Sequence, residues 1–240
     1  MDLDGTRILT DPALRSRIGH LRRVAAVNDD ALRGIDAVLV SHVHYDHLDL
    51  PSLGRLGRSI PVVVPRGAGA LLRHRGFEHV IEVDAGEEIQ VGAVTVEATP
   101  AEHAARRGPF RAKAPALGFV VSGSQRVYFA GDTDLFDGMA ALGPALDAAL
   151  LPVWGWGPRL PPGHLDPRRA AEALRLLRPR LAVPIHWGTY RPILLGRRLG
   201  RLAEPAEEFR RAAAELAPEV ELHVLPIGGS LALDDRGESP

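Results

Sequence analysis

The chain contains no cysteine among its 240 residues. Disulfides are therefore excluded, the redox compartment is left open, and any metal must be held by histidine and carboxylate. Lys113 is the single lysine among 29 basic residues, which we ascribe to codon usage. No uninterrupted apolar run approaches the roughly 18 residues needed to span a bilayer. The N-terminus, with Asp2, Asp4 and Asp11 and no apolar core, does not read as a signal peptide, so the cytoplasm is the default compartment. A formal net charge of -1 gives no general case for nucleic-acid or membrane binding. There is no serine in a nucleophile elbow, no P-loop and no Gly-x-Gly-x-x-Gly motif. No linker, repeat or low-complexity tract stands out beyond the Pro/Gly-rich loop 152–163 and the charged tail after Asp234. We expect one domain over residues 1–240, large enough to bury a substantial core.

The most informative stretch that is present is Ser41-His42-Val43-His44-Tyr45-Asp46-His47. It follows Ile35-Asp36-Ala37-Val38-Leu39-Val40, a mostly apolar, β-prone run that reads as a buried strand. The histidines thus leave a strand end and enter a loop, where a rigid scaffold can position ligands. In an extended segment His42, His44 and Asp46 share one face, and His47 points away. One loop can then offer two histidines to one metal, and Asp46 with His47 to a second. Neutral imidazole and carboxylate suit zinc, and also iron or manganese.

This segment resembles the His-x-His-x-Asp-His signature of the metallo-β-lactamase superfamily of hydrolases. Further matches follow in the family's order, each after a β-like run: His103 after Val94–Pro100, Asp132 after Val127–Gly131, and His186 after Leu181–Ile185. Within the superfamily the chain is most similar to a branch that includes L-ascorbate-6-phosphate lactonase and the phospholipase D acting on N-acyl-phosphatidylethanolamine. Ile8-Leu9-Thr10-Asp11-Pro12, Phe129–Thr133, Gly163-His164-Leu165-Asp166-Pro167 and Pro184–Thr189 carry that likeness. The resemblance implies an α/β fold, the four-layer αββα sandwich of this family. Relatives carry one more strand ahead of the opening hairpin, so the fold is expected to lack that first N-terminal strand unless the start has been placed too late.

The pattern predicts two similar halves. Strands are expected near Thr6–Leu9, Asp36–Val40, Val62–Pro65, Val80–Val83, Glu88–Val91 and Val94–Ala98. The second half adds Leu117–Val121, Arg126–Ala130, Ala148–Leu151, Leu181–Ile185, Glu221–Leu225 and Ser230–Leu233. Helices are expected from Asp166 to Leu177, with Asp166 as N-cap and Pro167 at the first position, and from Pro205 to Leu216.

The resemblance also implies a mechanism. Two divalent ions, zinc first and manganese as the alternative, take His42, His44 and His103 on one side. Asp46, His47 and His186 lie on the other, with Asp132 bridging. A shared hydroxide attacks an ester-type bond, in a lactone or a phosphodiester of a small anionic substrate. Asp46 orients the hydroxide or accepts its proton, and His164 serves the oxyanion or the leaving group. Arg106 and Arg107 open the cationic loop 106–113, which either binds a substrate anion or is a solvated loop. Trp154, Trp156 and Tyr190 either wall the pocket or pack in the core. A metal-dependent nuclease and a catalytically degenerate relative are the alternatives, and a homo-oligomer is allowed.

Overall fold

The computed structural model describes residues 1–107, 114–143, 145–157, 160–194 and 202–233. Strands and helices are numbered here in chain order. The smaller sheet uses β1 (Asp2–Leu3), β2 (Thr6–Thr10), β5 (Ala37–Leu39), β6 (Val62–Pro65) and β7 (Val80–Val83), in that order across the sheet. The larger uses β8 (Glu88–Val91), β9 (Val94–Pro100), β10 (Leu117–Ser122), β11 (Arg126–Phe129), β12 (Ala148–Pro152), β13 (Leu181–Ile185) and β15 (Glu221–Leu222). Its order is β15-β13-β12-β11-β10-β9-β8. A third sheet of short strands joins β3 (Arg17–Ile18), β4 (Leu21–Arg23) and β14 (Tyr190–Pro192).

Alternation of side chains across each strand builds the layers. In the smaller sheet Ala37, Leu39 and Val63 face inward, where they meet Val96, Ala98, Phe119, Val121 and Phe129 of the larger. Val38, Val62 and Val64 point the other way and pack with Leu53 of α1 (Leu50–Leu56) and Leu72 of α2 (Gly69–Arg73). Val120, Tyr128, Ala149 and Leu151 on the outer face of the larger sheet meet α3 (Met139–Leu142), α4 (Pro167–Leu177) and α5 (Glu204–Leu216). The result is helices, sheet, sheet, helices: the expected αββα sandwich. Strands apolar on both faces, such as β6, are those covered on both sides.

Two details differ from the expectation. Ser230–Leu233 forms no strand; Leu225 and Leu233 instead lie against Val127, Ala148, Leu181 and Val183. The third sheet was not foreseen. The tail after Asp234 lies outside the described residues. Among the described residues no helix is long and apolar enough to cross a membrane.

The strands that carry the chemistry run parallel. β2 is parallel to β5, β11 to β12 and β12 to β13, and β9 and β11 are each antiparallel to the β10 between them. The C-terminal ends of β2, β5, β9, β11 and β13 are followed by Asp11, Ser41–His47, His103, Asp132 and His186.

Candidate metal centre

The loop after β5 is held from beneath. Val43 and Leu48 are fully buried, and the Arg107 guanidinium donates to their carbonyls at 3.0 and 2.7 Å. Gly131 lets β11 end against this loop: a Cβ there would lie 2.5 Å from the Ser41 Cβ, and its φ of 61° is left-handed. His186 also adopts a left-handed φ of 62°, an unusual state for a non-glycine residue.

The six histidines and two aspartates converge. His42 Nε2 lies 2.9 Å from His44 Nδ1, which lies 3.1 Å from His103 Nε2. His47 Nε2 lies 3.1 Å from His186 Nε2. Asp132 sits among them, 3% exposed, with Oδ2 at 3.3 Å from His47, 3.5 Å from His164 and 3.9 Å from His42, and Oδ1 at 3.6 Å from His186. Asp46 Oδ2 is 3.8 Å from His47 and 3.7 Å from His186.

The outward nitrogens decide what the inward ones present. His103 Nδ1 donates to the Gly163 carbonyl at 2.7 Å, His186 Nδ1 to that of Trp154 at 2.5 Å, and His47 Nδ1 to Asp11 Oδ2 at 2.6 Å. Ser41 Oγ donates to Asp11 Oδ2 at 2.5 Å and so accepts from His42 Nδ1 at 2.9 Å. Rings tied in this way turn Nε2 inward at His42, His47, His103 and His186, while His44 turns Nδ1 to His42 and His103. Lone pairs about 3 Å apart repel unless a proton or a cation lies between them. Asp132 Oδ1 is likewise buried with no hydrogen-bond partner. The donor set therefore fits metal ions: His42, His44 and His103 form one ligand group, and Asp46, His47 and His186 another.

Without metal the charges polarise the cluster. Burial dominates at His42, His44 and His103 and lowers their pKa values, that of His103 to about 4. Burial opposes the charged form of His47 too, but Asp132, Asp11 and Asp46 outweigh it and raise this histidine well above its ordinary value. His164 is raised in the same sense, mainly by Asp132 acting against burial. Burial would raise Asp132 and Asp46; the surrounding histidines reverse it and hold both carboxyls far below the usual range.

All seven residues read as ligands meet here, and His164 joins them. The substrate-side residues scatter. Arg106 is exposed, with its backbone N–H 3.5 Å from His44 Nε2. Arg107 is 5% exposed and serves the ligand loop, stacking its guanidinium 4.1 Å from the Tyr45 ring centroid, rather than facing a substrate. Residues 108–113 of the basic loop lie outside the described residues. Tyr190 is 2% exposed in the small core beneath the third sheet, with its hydroxyl bonded to the carbonyls of Ala13 and Arg15. Trp154 packs there too and donates to the Gly157 carbonyl at 2.8 Å. Sequence reasoning missed Asp11, which orients one histidine of each ligand group; its position after β2, matching that of the ligands, was the available signal.

Residues 6–187 match the β-lactamase superfamily domain. A UPF0173 metal-dependent hydrolase from Methanopyrus kandleri is 33% identical over 238 residues, covering 96% of this chain and 94% of the relative. An uncharacterised Mycobacterium tuberculosis protein is 33% identical over 227 residues and 86% of this chain, which spans 61% of that relative's length. Among solved structures, the metallo hydrolase Igni18 of Ignicoccus hospitalis superposes with a TM-score of 0.69 at 26% identity, over 93% of this chain and 88% of its own. With a domain match running over most of the chain and full-length similarity to named members, this chain belongs to the metallo-β-lactamase superfamily and, within it, to the UPF0173 family.

Proposed function

We propose that the protein is a metal-dependent hydrolase of an ester-type bond, a lactone or a phosphodiester, in a small anionic molecule. The observation that carries this reading is the convergence of imidazole nitrogens and an unpartnered, buried Asp132 oxygen on one strand-end cluster. His42, His44 and His103 would hold one divalent ion and Asp46, His47 and His186 the other, with Asp132 shared between them. The all-nitrogen-and-oxygen ligand set suits zinc, with manganese as the alternative. When bound, such a pair supplies hydroxide at neutral pH and stabilises negative charge that develops on the substrate.

The chain's own groups complete the chemistry. Asp46 is half-buried with Oδ2 turned to the cluster, placed to orient the attacking water or take its proton. His164 Nδ1 is fixed on the Pro161 carbonyl at 3.0 Å, so Nε2 faces the site. Against burial, Asp132 raises its pKa and so favours the protonated form, which would donate to the oxyanion or the leaving group. Arg106, exposed and with its backbone N–H 3.5 Å from His44 Nε2, would meet a substrate anion.

The test pairs elemental analysis with hydrolysis of bis-p-nitrophenyl phosphate and a lactone panel, before and after chelation. Two metals per chain, with turnover lost on chelation and restored by zinc or manganese, is the expected result. Full metal without turnover on any ester would reassign the protein as a degenerate relative.

A further inference from the structure

His42, His47, His103 and His186 are each oriented by a group outside the cluster, and Asp46 has an unusual one. Trp156 Nε1 donates to Asp46 Oδ2 at 2.8 Å, across 110 residues of sequence. Among the described residues, it is the hydrogen-bond donor to Asp46 that comes from outside the cluster. The indole is 9% exposed and clamped by three rings: His186 at 4.5 Å, Trp154 at 5.5 Å and Tyr190 at 5.7 Å between centroids.

The backbone sharpens the point. Trp156 has a φ of 63°, in the left-handed region that favours glycine, and Gly155 and Gly157 flank it. The largest side chain occurs where the backbone would most readily accept none. Ring packing explains its bulk. It does not explain why the N–H is aimed at a carboxylate of the ligand group rather than at a carbonyl, as that of neighbouring Trp154 is.

We propose that Trp156 is the positioning residue of this centre: its indole N–H fixes the Asp46 carboxylate and thereby sets how tightly the Asp46–His47–His186 side holds its ion. The inference rests on the dinuclear reading above. An N–H bonded to Oδ2 locks the rotamer that turns this oxygen to His47 and His186, and it draws electron density from the same atom. The contact also joins the loop after β12 to the loop after β5, so the smaller sheet's ligands are registered against the larger sheet by a side chain that is not itself a ligand.

The discriminating variant is Trp156→Phe, which keeps the ring stack and removes the N–H. Zinc affinity is read by competition with a chromophoric chelator, and folding by circular dichroism. One of the two zinc affinities, that of the Asp46–His47–His186 side, is expected to fall roughly tenfold to hundredfold while the other is unchanged. The turnover number should fall with little change in KM. Trp156→Phe with both zinc affinities and the turnover number at wild-type values would overturn the proposal. A second readout needs neither metal nor activity: the Trp156 indole ¹H–¹⁵N resonance in the metal-free protein should be protected from solvent exchange, and should shift and lose protection in Asp46→Ala. An indole signal indifferent to Asp46→Ala would show that the contact does not exist, even where Trp156→Phe fails to fold. A wild-type chain that binds one ion would sink the dinuclear reading and the metal-retention half of this proposal with it, while the indole signal would still decide the contact.

Discussion

At the scale of single residues, Asp132 carries the greatest chemical demand. It is 3% exposed, and four imidazole nitrogens lie within 3.9 Å of its carboxylate. Asp132→Ala should lower metal content and cut turnover by roughly a thousandfold or more, the scale of several kcal/mol of lost charge stabilisation, with an unchanged circular dichroism spectrum. Normal turnover with full metal content in this variant would contradict the mechanism. The histidines make a second prediction, for the chelated protein. His42, His44 and His103 have lowered pKa values, so below the ordinary histidine value of 6.5 the unfolded chain takes up protons that the native state refuses, and stability falls with falling pH. His47 and His164 are raised, so above that value the native state keeps protons that the unfolded chain has lost, and stability falls with rising pH. The carboxyls, already ionised in both states above pH about 4, leave this window unaffected. The buried Met1 amine, lowered from its ordinary 8.0, adds a rise on the alkaline side, so the melting temperature of metal-free protein should pass through a maximum between pH 6.5 and 8.0, measured by scanning from pH 5 to 8.5; a monotonic rise across that range would contradict the assigned shifts. The ligands were legible because three histidines and an aspartate cluster within residues 42–47 and the others follow strand-like runs. For Arg107 the sequence offers a substrate anion or solvent, and nothing in its neighbourhood tells that its guanidinium turns inward to the carbonyls of Val43 and Leu48.

At the scale of elements, α4 shows the clearest link from sequence to structure. Asp166 accepts from the Arg169 backbone N–H at 2.8 Å, Pro167 opens the helix, and Ala170, Ala173, Leu174 and Leu177 form its buried stripe. Asp166→Ala should cost about 1 kcal/mol, read as a lower denaturation midpoint with an unchanged urea slope. Because His164 lies two residues before this cap, a loss of turnover larger than the loss of stability would show that the helix start also sets that histidine. Strands such as β6 and β13 were readable because they are apolar on both faces. The third sheet was not, for a different reason. Its strands are two or three residues long, and its pairing sets Arg17 against Arg22 and Arg22 against Arg191, with apolar Ile18 and Leu21 on the other face. No local pattern announces a partnership between residues so far apart. Ser230–Leu233 failed in the opposite sense: its composition is strand-like, but pairing needs a neighbouring edge, and composition does not reveal one.

At the scale of the whole molecule, the centre straddles the seam between the sheets. His42 to His47 come from the smaller sheet, while His103, Asp132 and His186 come from the larger. The seam's interior is closed by Leu39, Val63, Phe119 and Phe129 without help from the centre. Chelation should therefore raise hydrogen exchange at residues 41–48, 101–107 and 131–134 and leave the amides of β10 protected; a uniform rise would mean that the sheets separate as a unit. In a chain with no cysteine, ions held across this seam would stand where a disulfide stands in other proteins, tying His42 and His44 to His103, and Asp46 and His47 to His186, through the folded state alone. Such a clasp answers to supply rather than to redox potential. By mass action it adds about 2.7 kcal/mol when free metal is a hundredfold above its dissociation constant, and nothing when metal is scarce. The folded fraction of this protein would then follow how much metal its surroundings can spare.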